Sequence, residues 1–114
     1  MAKTVASRKA KGRAGSQEVR ELILKYLPDL KPDDIQVVPG GVTGEDLWLS
    51  PRARELLPLV SEVKNQEAIQ IWKALKQSEE HKRPEGTYPV LWFKRNRSKM
   101  YVALEAEHFL KLVL

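Results

Sequence analysis

An acid and an amine interrupt an apolar stretch of this chain, Leu57-Pro58-Leu59-Val60-Ser61-Glu62-Val63-Lys64. A strand alternates its side chains between two faces. A strand from Leu59 to Asn65 therefore projects Glu62 and Lys64 from one face, with α-carbons roughly 6 to 7 Å apart. Asp46 opens the preceding apolar segment, Leu47-Trp48-Leu49, and a neighbouring strand there would bring a second carboxylate. Two carboxylates and a lysine suit a magnesium-dependent site for phosphodiester cleavage. Glu80-His81-Lys82 repeats the Glu-x-Lys pattern, but it follows a helical pattern and precedes a proline loop, where nothing aims the two side chains at one site.

With 114 residues the chain makes one small domain with a single core. The apolar fraction of 42% and charged fraction of 31% are those of a soluble globular protein, and no apolar stretch approaches the roughly 20 residues that span a bilayer. Met1 to Gly15 is basic without an apolar centre, so it does not resemble a secretory signal, and a cytoplasmic location is expected. The absence of cysteine excludes disulfides and thiolate metal sites, leaving carboxylates and two histidines as ligands and favouring hard, oxygen-preferring cations. A net charge of +5 points to a polyanionic partner. Lys3, Arg8, Lys9, Lys11 and Arg13 precede the first acid, Glu18, among Ala, Gly and Ser, so residues 1–15 are expected as a mobile basic arm before a domain spanning 16–114. A second basic cluster, Lys94, Arg95, Arg97 and Lys99, lies at an apparent turn.

Ser16 can cap a helix carrying Val19, Leu22, Ile23, Tyr26 and Leu27 and ending before Pro28. Ile35 to Val38, Leu47 to Leu49 and Leu59 to Asn65 suit strands, with Pro39-Gly40-Gly41 stopping the first. Ala68, Ile71, Trp72 and Leu75 give an amphipathic helix from Gln66 to about Lys82. Tyr88 to Phe93 and Met100 to Leu104 form two further strands, and Glu105 to Leu114 a last helix. The predicted class is α/β, in the order α-β-β-β-α-β-β-α, with helices on both faces of the sheet. The apolar neighbours of Trp48, Trp72 and Trp92 favour core or interface packing over base stacking. His81 and His108 lack partners at metal-ligand spacing and read as structural or surface residues.

Placed on this order, Glu18, Asp46 and Glu62-Val63-Lys64 resemble the signature of the PD-(D/E)XK nuclease superfamily, and most of the chain is similar to the archaeal-type Holliday junction resolvases, which also occur in phages. Lys11-Gly12 leading to Glu18-Val19-Arg20-Glu21-Leu22 is similar to their basic arm and first helix. Gly44-Glu45-Asp46-Leu47 resembles their approach to the metal-binding aspartate, with Glu45 where a proline often stands. The segment from Pro51 to Pro58 departs from a tight hairpin.

The resemblance implies a central five-stranded mixed sheet flanked by helices. It also implies Mg2+, or Mn2+ in its place, held by Asp46, Glu62, the Val63 carbonyl and Glu18, with Glu21 as the rival helix acid. Lys64 would orient water or offset phosphate charge. Arg8, Lys9, Lys11, Arg13, Gln66, Lys94, Arg95 and Arg97 are the expected DNA contacts. The implied activity is resolution of four-way DNA junctions by a homodimer, in the host cytoplasm if the chain is phage-encoded. Ile69, Trp72 and Phe109 to Leu114 are candidate dimer contacts. Another nuclease of the same fold acting on flaps, ends or duplex, or a noncatalytic DNA-binding protein, are the alternatives.

Overall fold

The computed structural model describes residues 4–40 and 42–114. Its first helix, α1, spans Val5–Tyr26, eleven residues earlier than the start expected at Ser16. Thr4 caps it, its Oγ1 accepting from Ser7 N at 3.0 Å. Residues 5–15 thus continue a helix where a mobile arm was expected. Ala, Lys and Arg are strong helix formers, and extending an existing helix avoids the cost of nucleating one. Lys3, which belongs to the same basic cluster, and Gly41 lie outside the described residues.

A single 3-10 turn, Pro32–Asp34, leads into strand β1, Ile35–Val37, which pairs antiparallel with β2, Leu47–Leu49. Helix α2, Pro51–Leu56, follows, capped by Ser50, whose Oγ accepts from Ala53 N at 3.1 Å. Strand β3, Leu59–Asn65, runs parallel to β4, Tyr88–Lys94, and helix α3, Ile71–Glu80, connects the two. Strand β5, Tyr101–Ala103, pairs antiparallel with β4, and α4, Ala106–Val113, ends the chain.

The fold is α/β, but the sheet is divided into a two-stranded β1-β2 sheet and a three-stranded β3-β4-β5 sheet. This corrects the expected five-stranded sheet. Pro51 at the start of α2 ends β2 after three residues, leaving it too short to form a ladder along β3. Other groups bond the free edge of β3. Asp46 N donates to Ser61 O at 2.8 Å, and Arg54 Nη1 donates to Leu59 O at 3.0 Å.

Strand alternation sends Ser61, Val63 and Asn65 toward α1 and Val60, Glu62 and Lys64 toward α3. On the α1 side the core gathers Val19, Ile23, Ile35, Leu47, Leu49, Ala53 and Val63, with Trp92 packed against it. Arg20 fastens α1 to the strand region, donating to Ile35 O and Pro32 O at 2.7 Å each. On the other side Ala74 and Ser78 are the buried residues of α3. The helix is shorter than the expected 66–82 because Gln66 N extends the ladder to Lys94 O at 3.1 Å. Trp92 is a packing residue, its Nε1 donating to Ser61 Oγ at 3.1 Å. Trp72, by contrast, is 86% exposed, because it lies on the face of α3 turned from the sheet.

Gly15 is where α1 crosses β3. A Cβ built there would lie 2.9 Å from Asn65 Cβ, whereas one at Gly12 would meet nothing within 4 Å. Gly15→Ala should therefore destabilise by about 1–3 kcal/mol, and Gly12→Ala should be neutral or slightly stabilising. Urea unfolding midpoints of the two variants check the contrast; equal midpoints would refute the close crossing.

Candidate functional site

Asp46 stands where the two sheets meet. Its carbonyl accepts from Val38 N at 3.0 Å, its N–H donates to Ser61 O, and its Oδ2 accepts from Val63 N at 2.7 Å. The side chain thus replaces a strand partner on the edge of β3. Gly44, with φ of 108°, sits in the approaching loop, a conformation open to glycine because it lacks a Cβ. Glu45, in place of the proline of the resembled pattern, pairs with Arg54 at 2.9 Å. That ion pair holds α2 against the approach to Asp46.

Glu62 lies beside Asp46 and is only 3% exposed. Lys64 Nζ stands 3.4 Å from its Oε2, and His81 Nε2 stands 2.5 Å from its Oε1. Burial pushes the Asp46 carboxyl up from its ordinary value of 3.8 to about 6. The Val63 N–H pulls down, the charge and hydrogen bond of Glu62 push up, and Lys64 pulls down. Two acids sharing one site disfavour double ionisation unless a proton or cation joins them.

A cavity of about 560 Å³ opens at the pair, lined by Asp46, Glu62, Val63, Lys64 and Gln66 and, from α1, by Arg8 and Lys11. Lys9 and Arg13 line a smaller recess that also reaches Asp46 and Val63. The basic segment of α1 is therefore beside the acids.

Glu18 is placed elsewhere, its Oε1 2.9 Å from Lys94 Nζ, and it does not line these cavities. Its rival Glu21 is exposed and does not line them either. The Gly15 crossing sets this arrangement, because it brings the turn of α1 before Gly15, rather than the one after it, to the acids. Lys94 and Arg95 line a separate cleft with Gln66 and Tyr101, and Arg97 occupies the β4–β5 turn with φ of 64°.

A second opening of about 790 Å³ reaches the same acids from the α3 side, lined by Thr43, Gly44, Gln77, Glu80, His81 and Lys82. The Glu80-His81-Lys82 repeat of the pattern, which its helical context argued against, thus faces the site. The parallel pairing of β3 and β4 requires a returning connection, and that connection carries the C-terminal end of α3 back past Glu62. His81, Glu80 and Gln77 escape sequence reasoning because sequence does not reveal whether two strands run parallel. Glu67 also lines the α1-side cavity while accepting from Asn96 N at 2.9 Å. His108 packs against the Tyr88 ring at 5.0 Å and faces Glu105 at 3.3 Å, the structural role expected of it.

Among the described residues no group of three or more acidic or histidine side chains is arranged to hold a metal ion. The oxygens of Asp46 and Glu62 nevertheless suit Mg2+, which binds through one or two carboxylates and keeps most of its waters. No protein-family model, no curated protein and no solved structure matches the chain. No helix among the described residues is long and apolar enough to cross a membrane.

The raised pKa has a definite sign. Folded Asp46 holds its proton more tightly than the unfolded chain does, so its stabilising contribution is complete below about 3.8 and lost as pH rises through about 6. Carboxyl 13C NMR of Asp46 should show a midpoint near 6, and a midpoint near 4 would refute the placement. Asp46→Asn should flatten the same part of a stability-against-pH curve.

Proposed function

We propose that this chain is a Mg2+-dependent endonuclease of the PD-(D/E)XK type that cuts branched DNA, with the four-way junction as its substrate. The observation that carries the reading is the convergence of Asp46, Glu62 and Lys64 on one cavity whose other wall is the basic turn of α1. Carboxylates alone would repel a polyanion, and cations alone would bind it without cutting. Their juxtaposition fits a site that holds a phosphodiester against a metal ion. Bound Mg2+, or Mn2+ in its place, would polarise a phosphate oxygen and lower the pKa of a bound water.

The chain's own groups divide the remaining work. Asp46 and Glu62 hold the ion, with the Val63 carbonyl between Glu62 and Lys64 as a further oxygen donor. Lys64 offsets charge on the phosphate or orients the water, since a fully charged amine is a poor base. Arg8, Lys9, Lys11 and Arg13 carry phosphates toward the acids, and Gln66 contacts a phosphate or water. The pairing of Glu18 with Lys94 reassigns that acid from the metal to holding α1 against the end of β4. Lys94 is correspondingly a weaker candidate for DNA contact than Arg95 and Arg97.

A four-way junction has two-fold symmetry, and one chain supplies one site, so paired nicks require a homodimer. Exposed Phe109, Leu110 and Val113 on α4 with Leu114 just after it, Tyr101 and Val102 on β5, and Trp72 on α3 are apolar surface available for it.

Asp46→Asn and Glu62→Gln should each abolish Mg2+-dependent cleavage while leaving junction binding nearly intact. Retained cleavage in either variant would sink the assignment. The deciding assay incubates the protein with labelled four-way junction, flap, duplex and single-stranded DNA and maps the cuts. Symmetric paired nicks confined to the junction are expected, whereas equal cleavage of duplex or flaps would assign a different nuclease. Replacing Arg8, Lys9 and Arg13 with glutamine should reduce the slope of log affinity against log salt by roughly 0.9 for each phosphate that the protein no longer neutralises. An unchanged slope would remove α1 from the DNA interface.

A further inference from the structure

Besides its neighbour Asp46, Glu62 meets two basic side chains, Lys64 at Oε2 and His81 at Oε1. The second comes from a different layer of the fold. His81 is the residue at which the chain leaves α3, with φ −63° and ψ 136°, and its side chain is 12% exposed. The helix that carries it has little slack, because Ala74 and Ser78 are buried against the sheet. After His81 the chain is fastened again by a turn in which Thr87 N and Oγ1 both donate to Pro84 O. The backbone is thus constrained on both sides of His81.

We propose that His81 is a positioning residue for the metal-binding acid, holding Glu62 in one orientation toward the cation position beside Asp46. The inference rests on the nuclease reading of this site. An ionised carboxylate accepts but does not donate, so toward ionised Glu62 the bond is one in which His81 Nε2 donates. The two oxygens offer about four lone-pair positions; His81 engages Oε1, Lys64 stands 3.4 Å from Oε2 as an ion pair, and the Asp46 carboxyl shares one hydrogen bond with Glu62, which leaves room for a cation. A free glutamate side chain loses rotamer entropy when it is fixed. With His81 in place much of that loss precedes cation binding. Groups that orient metal ligands in this way typically contribute 10- to 100-fold to metal affinity.

The test is calorimetric titration of the full chain with Mn2+ and with Mg2+, beside melting temperatures in EDTA. His81→Ala should weaken both cations by roughly 10- to 100-fold. His81→Gln, whose amide N–H reaches the same place, should recover most of the affinity. His81→Asn, polar but too short to reach Glu62, should bind as weakly as the alanine variant and carries the test if that variant melts early. Wild-type affinity in both the alanine and asparagine variants would overturn the positioning role. So would a loss confined to Mn2+, which would make the imidazole a direct ligand. Wild-type protein that binds neither cation would overturn the nuclease reading and this inference together, an outcome distinct from the other two.

Discussion

The free edge of β3 is the constraint around which the molecule is arranged. A strand edge exposes unpaired N–H and C=O groups, and burying them unpaired would cost free energy comparable to the hydrogen bonds forgone. Here a complete neighbouring strand does not cover them. Asp46 satisfies Ser61 O with its main chain and Val63 N with its side chain, and Arg54 satisfies Leu59 O. These contacts join the two sheets at one residue. They also fix where an acid must stand, since the carboxylate that completes the edge is the one beside Glu62.

That economy has an electrostatic cost. Asp46 is raised to about 6 by burial and by the adjacent Glu62, because the edge contact holds two carboxyl groups side by side. Lys64 offsets charge on Glu62, His81 hydrogen-bonds it, and Arg8 and Lys11 line the cavity in front of it. On the proposed reading, the cations that stabilise the folded acids are also the groups that would attract a phosphate. A bound cation would relieve the same repulsion, which links metal affinity to the stability of the seam between the sheets.

Much of the site was legible in local sequence because strand periodicity is local. Glu62 and Lys64 share a face wherever Leu59 to Asn65 is extended. The length of α1 was not legible from its apolar spacing, because residues 5–15 have no apolar stripe and gain their helicity by propagation from a packed segment. The two short sheets read as one from sequence for a related reason. Whether β2 can reach along β3 depends on where the chain turns in space, which strand propensity does not encode.

Residue types and periodicity established the α/β class, the order of elements apart from helix α2 (Pro51–Leu56), and a strand carrying an acid and an amine on one face. Absence of cysteine excluded disulfides and thiolate ligands, and the basic charge raised the expectation of a polyanionic partner. The membership of the site was a different matter. The close approach at Gly15 placed Arg8 and Lys11 near the acids and sent Glu18 to Lys94. The parallel β3–β4 pairing returned α3 so that His81 met Glu62. Both depend on contacts between residues distant in the chain, where packing, which no local pattern records, selects the partners.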